Sequence, residues 1–211
     1  MGINGNIFKK VKNYIIDIIQ CKRQKQQTKM GYYSTDIWAI IADRIKDKIA
    51  PGITLYAEIC GQMNNGSWVQ KDFDYGIPSF NIDYFIFRIT YTNILGQVFE
   101  FSTPQIQDYC KINGLNTAPV FYYGYAKDYI SKDGLQANIE NHWQENFLEL
   151  LIKDFTEKDC FMCKNKLPEE GVVLRVENSN NFNAYKLKSI RFLERETSLL
   201  DKGEENIEDN S

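Results

Sequence analysis

Glu169-Glu170-Gly171-Val172-Val173-Leu174-Arg175 and, beyond a polar turn, Tyr185-Lys186-Leu187-Lys188-Ser189 are the two stretches on which the reading of this chain turns. Two short β-prone segments joined by polar residues predict a hairpin. Successive side chains of a strand point to opposite faces, so Lys186 and Lys188 share one, opposite the strand that Glu170 enters. One carboxylate and two ammonium groups would then face a common cleft, a chemistry suited to a nucleotide phosphate and its metal.

Outward from the hairpin, helical spacing alternates with β-prone runs. Phe192, Leu193, Glu196, Leu199 and Leu200 predict a closing amphipathic helix, and Trp143, Phe147, Leu150, Leu151 and Phe155 a helix from about Asn141. Further upstream, Ile53 to Cys60 and Asp83 to Thr92 read as strands, with a turn at Asn93–Gly96 into Gln97–Phe101. Thr103-Pro104 reads as a helix cap followed by proline, with Gly114 at the far end. Residues 116–126 are aromatic and expected to be extended. Ser34, Thr35 or Asp36 is available to cap a helix burying Ile37, Trp38, Ile40, Ile41 and Ile45, which Pro51-Gly52 ends. Residues 7–19 fit either a helix or a strand, and Lys22 to Lys29 a solvated basic loop. Strands in hairpins with helices inserted between them give an α+β fold with a largely antiparallel sheet, not a βαβ repeat.

The chain has 211 residues, 43% hydrophobic and 14% aromatic, enough to bury a core. A net charge of −3 excludes a basic surface over the whole molecule as a nucleic-acid footprint, so any such surface must be local. No apolar run is long enough to span a bilayer, and the N-terminus lacks the order of a signal peptide. Five cysteines, an odd number in a chain of this size, point to reduced thiols. Cys160-Phe161-Met162-Cys163 has metal-ligand spacing but supplies half of a zinc site, and His142 is the single histidine. The pair therefore reads as reduced thiols near a turn, and the lone histidine argues against Ser-His or Cys-His catalysis. There is no glycine-rich phosphate loop. Glu58, in Leu55-Tyr56-Ala57-Glu58-Ile59-Cys60-Gly61, alternates onto the face of Tyr56 and Cys60. It reads either as a costly buried carboxylate with a ligand to hold, or as an exposed residue on an edge strand.

Taken in order, Leu55-Tyr56-Ala57-Glu58, Tyr84-Phe85-Ile86-Phe87-Arg88-Ile89, Glu170-Gly171-Val172-Val173-Leu174-Arg175 and Tyr185-Lys186-Leu187-Lys188-Ser189 resemble motifs III, IIIa, IV and V of the covalent nucleotidyltransferases, the superfamily of polynucleotide ligases and mRNA capping enzymes. The chain looks most like the phage-type branch of ATP-dependent RNA ligases, from about Gly31 to about Leu200. Gly31-Tyr32-Tyr33-Ser34-Thr35-Asp36-Ile37-Trp38 and Met162-Cys163-Lys164-Asn165-Lys166 are similar to that branch as well.

The resemblance implies an adenylyltransferase (ATP-grasp-like) core at 31–200, an irregular or helical segment at 1–30 and an acidic tail at 201–211. It implies ATP and Mg²⁺ as cofactors. Glu58 would contact the ribose, Phe87 or Phe85 would stack on adenine, and Glu170 would hold the metal. Lys186 and Lys188 would hold the phosphates and, with Glu170, form the catalytic set. The partners implied are RNA 5′-phosphate and 3′-hydroxyl ends, such as those of a nicked duplex, met by a monomer in the cytoplasm, or in the host cytoplasm for a viral protein.

Two departures stand out. Ala57 replaces the usual glycine of motif III, and the Lys-x-Asp-Gly that carries the nucleotidyl lysine is not found. Lys111-Ile112-Asn113-Gly114 falls after motif IIIa, Lys132-Asp133-Gly134 lacks the intervening residue, and Arg23 is the one candidate for the arginine motif that follows the lysine. The expectation is a domain shortened at its N-terminus and inactive alone. The alternatives are a non-catalytic nucleotide or RNA-end binding module, or one half of a split ligase completed by an N-terminal fragment.

Overall fold

The computed structural model describes residues 36–131, 139–177 and 183–202, with the backbone alone at 131 and 139–145. The expectations at 1–35, Arg23 included, at Lys132-Asp133-Gly134 and at 203–211 lie outside the described residues, as do the side chains of His142 and Trp143. Among the described residues no helix is long and apolar enough to cross a membrane.

The fold is α+β with antiparallel sheets, as the sequence predicts. In chain order it runs α1 (Ile37–Ile45), a 3-10 turn (Lys46–Lys48), β1 (Ile53–Gly61), β2 (Ile82–Thr92), β3 (Val98–Glu100), α2 (Thr103–Asn113), α3 (Ala126–Ser131), α4 (Ile139–Phe155), β4 (Gly171–Val176), β5 (Asn183–Lys188) and α5 (Ile190–Asp201). One sheet has the order β1-β2-β3; the other is the β4-β5 hairpin.

One face of the first sheet is covered by helices. Ile37, Ile41 and Ile45 recur every four residues along α1, which puts them on one stripe. That stripe, with Ile106 and Cys110 of α2, packs on Ile59, Ile86 and Ile89 of the sheet. Asp36 is the cap selected from the three available: its side chain accepts the Ala39 N–H at 3.1 Å. The α1 helix stops at Ile45, short of Pro51, and Gly52 then turns at φ +83, where a Cβ would meet the Thr92 carbonyl at 2.6 Å. At α2 the cap moves one residue back from the expected Thr103. Ser102 is still extended (φ −68, ψ 162), its N–H donates to the Gln105 side chain at 2.8 Å, and Gly114 ends the helix in the left-handed conformation. Lys111 thus lies in the last turn of an ordinary helix, which accounts for the Lys-x-Asn-Gly spacing.

The aromatic segment after Gly114 runs beside β2 without becoming a strand: Ile86 N–H donates to Asn116 O at 3.0 Å, and Ala118 N–H to Ile86 O at 2.9 Å. Short α3, not foreseen from the sequence, follows and packs on α4, where Tyr129 donates its hydroxyl proton to Asp154 at 2.6 Å.

A second small core joins the loop 62–81, the segment before β4 and helix α5. It is made of Phe73, Cys160, Cys163 and Phe192. Arg195 of α5 fastens it by a 2.7 Å pair with Asp72, and Asn165 by a 2.7 Å bond to the Asp72 carbonyl.

Candidate nucleotide-binding site

On β1, the odd-numbered residues Leu55, Ala57 and Ile59 face the first core, so Tyr56, Glu58 and Cys60 face the other way. Tyr56 and Cys60 are buried there, yet Glu58 between them is exposed. Of its two readings the second holds: Glu58 is an exposed residue on β1, an edge strand of its sheet, flanked by buried neighbours.

Directly opposite Glu58 on β2 is Phe85, half-buried. Phe87 has a position of its own. Tyr56 pairs with Arg88 while the next residue, Ala57, pairs with Ile86, so Phe87 is the extra residue of a β-bulge. The burial pattern records the same event: the covered positions run 82, 84 and 86, then jump to 89. A bulge re-aims the residue it carries, and the Phe87 side chain is 45% exposed. Beyond it, the Arg88 guanidinium lies 4.5 Å over the Tyr56 ring and pairs with Glu100.

The second half of the site comes from the hairpin. Gly171 pairs with Lys188 and Val173 with Lys186. The Glu170 carbonyl accepts the Ser189 N–H at 2.9 Å, closing the open end of the hairpin. Gly171 stands at φ +139, and a Cβ there would lie 2.0 Å from the Leu187 carbonyl, so the strands can approach this closely only at glycine. Lys186 forms an ion pair with Glu170. Lys188 lies 3.6 Å from Glu196 on α5 and 5.2 Å over the Phe192 ring. The two lysines thus stand on one strand beside different carboxylates, one of which, Glu196, had been read only as part of a helix face.

Electrostatics link the two sheets. The Cys60 thiol is pushed up by its burial first, then by Glu58, then by Glu170. The Tyr75 phenol is pushed up by burial first, then by Glu170, Cys60 and Glu58. Two carboxylates from distant parts of the chain therefore act on the same two buried groups. Tyr75 carries no periodic signal in the sequence; it sits in the 62–81 loop at φ +45, and only the packing reveals it as a neighbour of the site.

Glu169, beside Glu170, is buried, and its Oε2 has no hydrogen-bond partner. Burial raises its carboxyl above the ordinary range against the pull of Lys158. A polar bridge ties the sheets at the far end of β4: Arg175 donates to the Phe101 carbonyl and pairs with Glu177 at 2.9 Å, and Glu177 accepts from the Thr103 N–H and hydroxyl at 2.7 Å each.

Glu58, Phe85 and Phe87 thus stand on the β1-β2 pair, and Glu170, Lys186 and Lys188 on the β4-β5 hairpin. Residues 5–190 match the family model for RNA ligases, and the chain belongs to the RNA ligase family. RNA is the substrate class the family implies. Among curated proteins no relative matches.

Proposed function

We propose that this chain is the nucleotide-binding adenylyltransferase domain of an ATP-dependent RNA ligase, of the phage-type branch, acting on RNA 5′-phosphate and 3′-hydroxyl ends with Mg²⁺. The observation that carries the reading is the family match over residues 5–190, with the Lys186–Glu170 ion pair of the β4-β5 hairpin and Phe85 opposite Glu58 on β1-β2 in support. Phe87, turned out of the sheet by its bulge, offers a ring face to adenine, and Phe85 opposite Glu58 supports it. Glu58, open to solvent, is suited to accept hydrogen bonds from ribose hydroxyls.

The donor set fits a magnesium ion. Among the described residues no cluster of three or more histidine, cysteine or acidic side chains could hold a metal by itself. Magnesium, which keeps waters and takes phosphate oxygens, needs one or two protein carboxylates, and Glu170 supplies one. When bound, the ion polarises the phosphate and offsets the charge that develops on it. Lys186, paired with Glu170 in this structure, would bind the α-phosphate and Lys188 a second phosphate oxygen, while Glu170 would hold the metal. Neither lysine is proposed as the nucleophile, and no Lys-x-Asp-Gly occurs in the sequence.

Three measurements test this. Calorimetric titration with ATP or AMP, with and without Mg²⁺, should show saturable binding that Glu58→Ala and Lys186→Ala each weaken; no binding to the folded wild type would sink the reading. Incubation with labelled ATP and Mg²⁺ should give no covalent band on a denaturing gel. A nicked duplex whose 5′ end already carries AMP bypasses the lysine step, so sealing of that substrate with release of AMP is the expected activity.

A further inference from the structure

Three aromatic rings and one ammonium group meet outside the nucleotide site, where the aromatic segment after Gly114 passes the end of α4 and the excursion of the chain between α4 and β4. Phe121 stacks on Phe155, the last residue of α4, with ring centres 5.1 Å apart and planes inclined by 30°, and it meets Phe161 edge-on at 5.4 Å. Lys158 Nζ lies 5.5 Å from the centre of the Phe121 ring and 5.1 Å from that of Phe155. The rings do not close into a core: Phe155 is half-buried, but Phe121 stays 41% exposed and Phe161 57%. The neighbours of Phe161 hold it out. The free thiols of Cys160 and Cys163 turn in against Phe73 and Phe192, and main-chain bonds from Cys160 N–H to Leu167 O (2.7 Å) and from Glu169 N–H to Lys158 O (2.8 Å) fix the base of the excursion. Adjoining rings kept in water mark a contact surface.

The charge beside these rings is positive. Lys164 and Lys166, on the same excursion, are exposed. The nearby acidic residues are turned to other partners: Asp154 accepts the Tyr129 hydroxyl at 2.6 Å, Glu157 accepts the Ile190 N–H at 2.9 Å, and Asp159 pairs with Arg191 at 2.8 Å. The last two contacts fasten the surface to the start of α5, just beyond Lys188, and the Glu169–Lys158 bond fastens it to the residue before Glu170. Ring faces for bases, with lysines for phosphates, are the two requirements of single-strand binding. Paired bases keep their faces stacked on one another, so the ligand that fits is unpaired. We infer that Phe121 and Phe161, with Lys158, Lys164 and Lys166, form a surface for single-stranded RNA: unpaired bases stack on the two rings, and the lysines attract the phosphates. RNA, rather than another polyanion, follows from the family to which the chain belongs. That the strand held here leads to the hairpin of Glu170, Lys186 and Lys188 rests on the proposed nucleotide site.

The test measures fluorescence anisotropy of the full chain with a labelled single-stranded RNA and with an abasic oligoribonucleotide of the same length. The wild type should bind the RNA more tightly than the abasic strand. Phe121→Leu combined with Phe161→Leu keeps the apolar bulk and removes the rings; it should weaken RNA binding roughly tenfold and leave the abasic strand's affinity as it was. Lys164→Ala combined with Lys166→Ala should weaken both strands alike and flatten the salt dependence. Calorimetry with ATP keeps the two sites apart, since the leucine variant should bind ATP as the wild type does. Absence of ATP binding in the wild type overturns the proposed nucleotide site and leaves this surface standing. Undiminished RNA affinity in the leucine variant overturns this surface alone. So do equal wild-type affinities for the two strands, no RNA binding at all, or a leucine variant that loses ATP and RNA together. If the double variant does not fold by circular dichroism, Phe161→Leu alone, at the more exposed ring, decides by the same comparison of RNA with the abasic strand.

Discussion

Glu169 and Glu170 are adjacent yet take opposite environments. Glu170 keeps a lysine partner, whereas Glu169 is buried with one oxygen unpaired. A carboxyl raised by burial favours the protonated form in the folded state, so it contributes stability at low pH that is lost as pH rises through the folded pKa. Glu169→Gln should remove that loss: its melting temperature should exceed that of the wild type at neutral pH, and the gap should close as pH falls through the acidic range. A gap that widens toward acid would contradict the burial argument. Gly171→Ala tests the same turn from the backbone side. At φ +139, with a carbonyl 2.0 Å from the new Cβ, it should cost at least about 1–3 kcal/mol in urea unfolding.

Among the elements, the bulge in β2 has the most consequence. It places Phe87 where its ring contributes little to the core, so Phe87→Ala should leave stability within about 0.5 kcal/mol. The same change should weaken ATP or AMP binding by roughly tenfold, because stacking of a base on an aromatic ring is worth about 1–3 kcal/mol. A destabilised variant with unchanged nucleotide affinity would reverse the assignment of this residue. Helix α5 depends on the cap that precedes it: Ser189, fully buried, accepts the Phe192 N–H at 3.3 Å. Ser189→Ala should cost about 0.5–2 kcal/mol by chemical denaturation. It should also disturb Lys188, which precedes it.

For the whole molecule, the question is what ties the two sheets together. The Arg175–Glu177 bridge does so at one end, with both side chains largely buried (15% and 18% exposed). Removing one member leaves the other charged and desolvated, so Glu177→Ala should cost on the order of 3 kcal/mol. The double variant Arg175→Met, Glu177→Ala should recover part of that loss, a non-additivity that a cycle of urea melts would measure. At the other end, Asp72–Arg195 and the Phe73–Phe192 contact join the 62–81 loop to α5.

The site divides along the same line as these contacts. The hairpin with Glu170, Lys186 and Lys188 was legible because strand alternation and a short turn are local properties. Glu58 and Phe85 were legible as members of ordered strings, but their opposition across a register was not.

The sequence by itself determined the α+β alternation, the strands and the helices other than α3 to within a few residues, the left-handed stop at Gly114 and the pairing of the last two strands, since each depends on neighbours a few positions away. Only the tertiary structure decided that Phe87 occupies a bulge, that Glu58 lies open between two buried neighbours, that Glu169 is desolvated and that Cys160 and Cys163 are buried against Phe73 and Phe192. Register between distant strands and burial are set by packing among segments far apart in the chain, and no local pattern of residues encodes them.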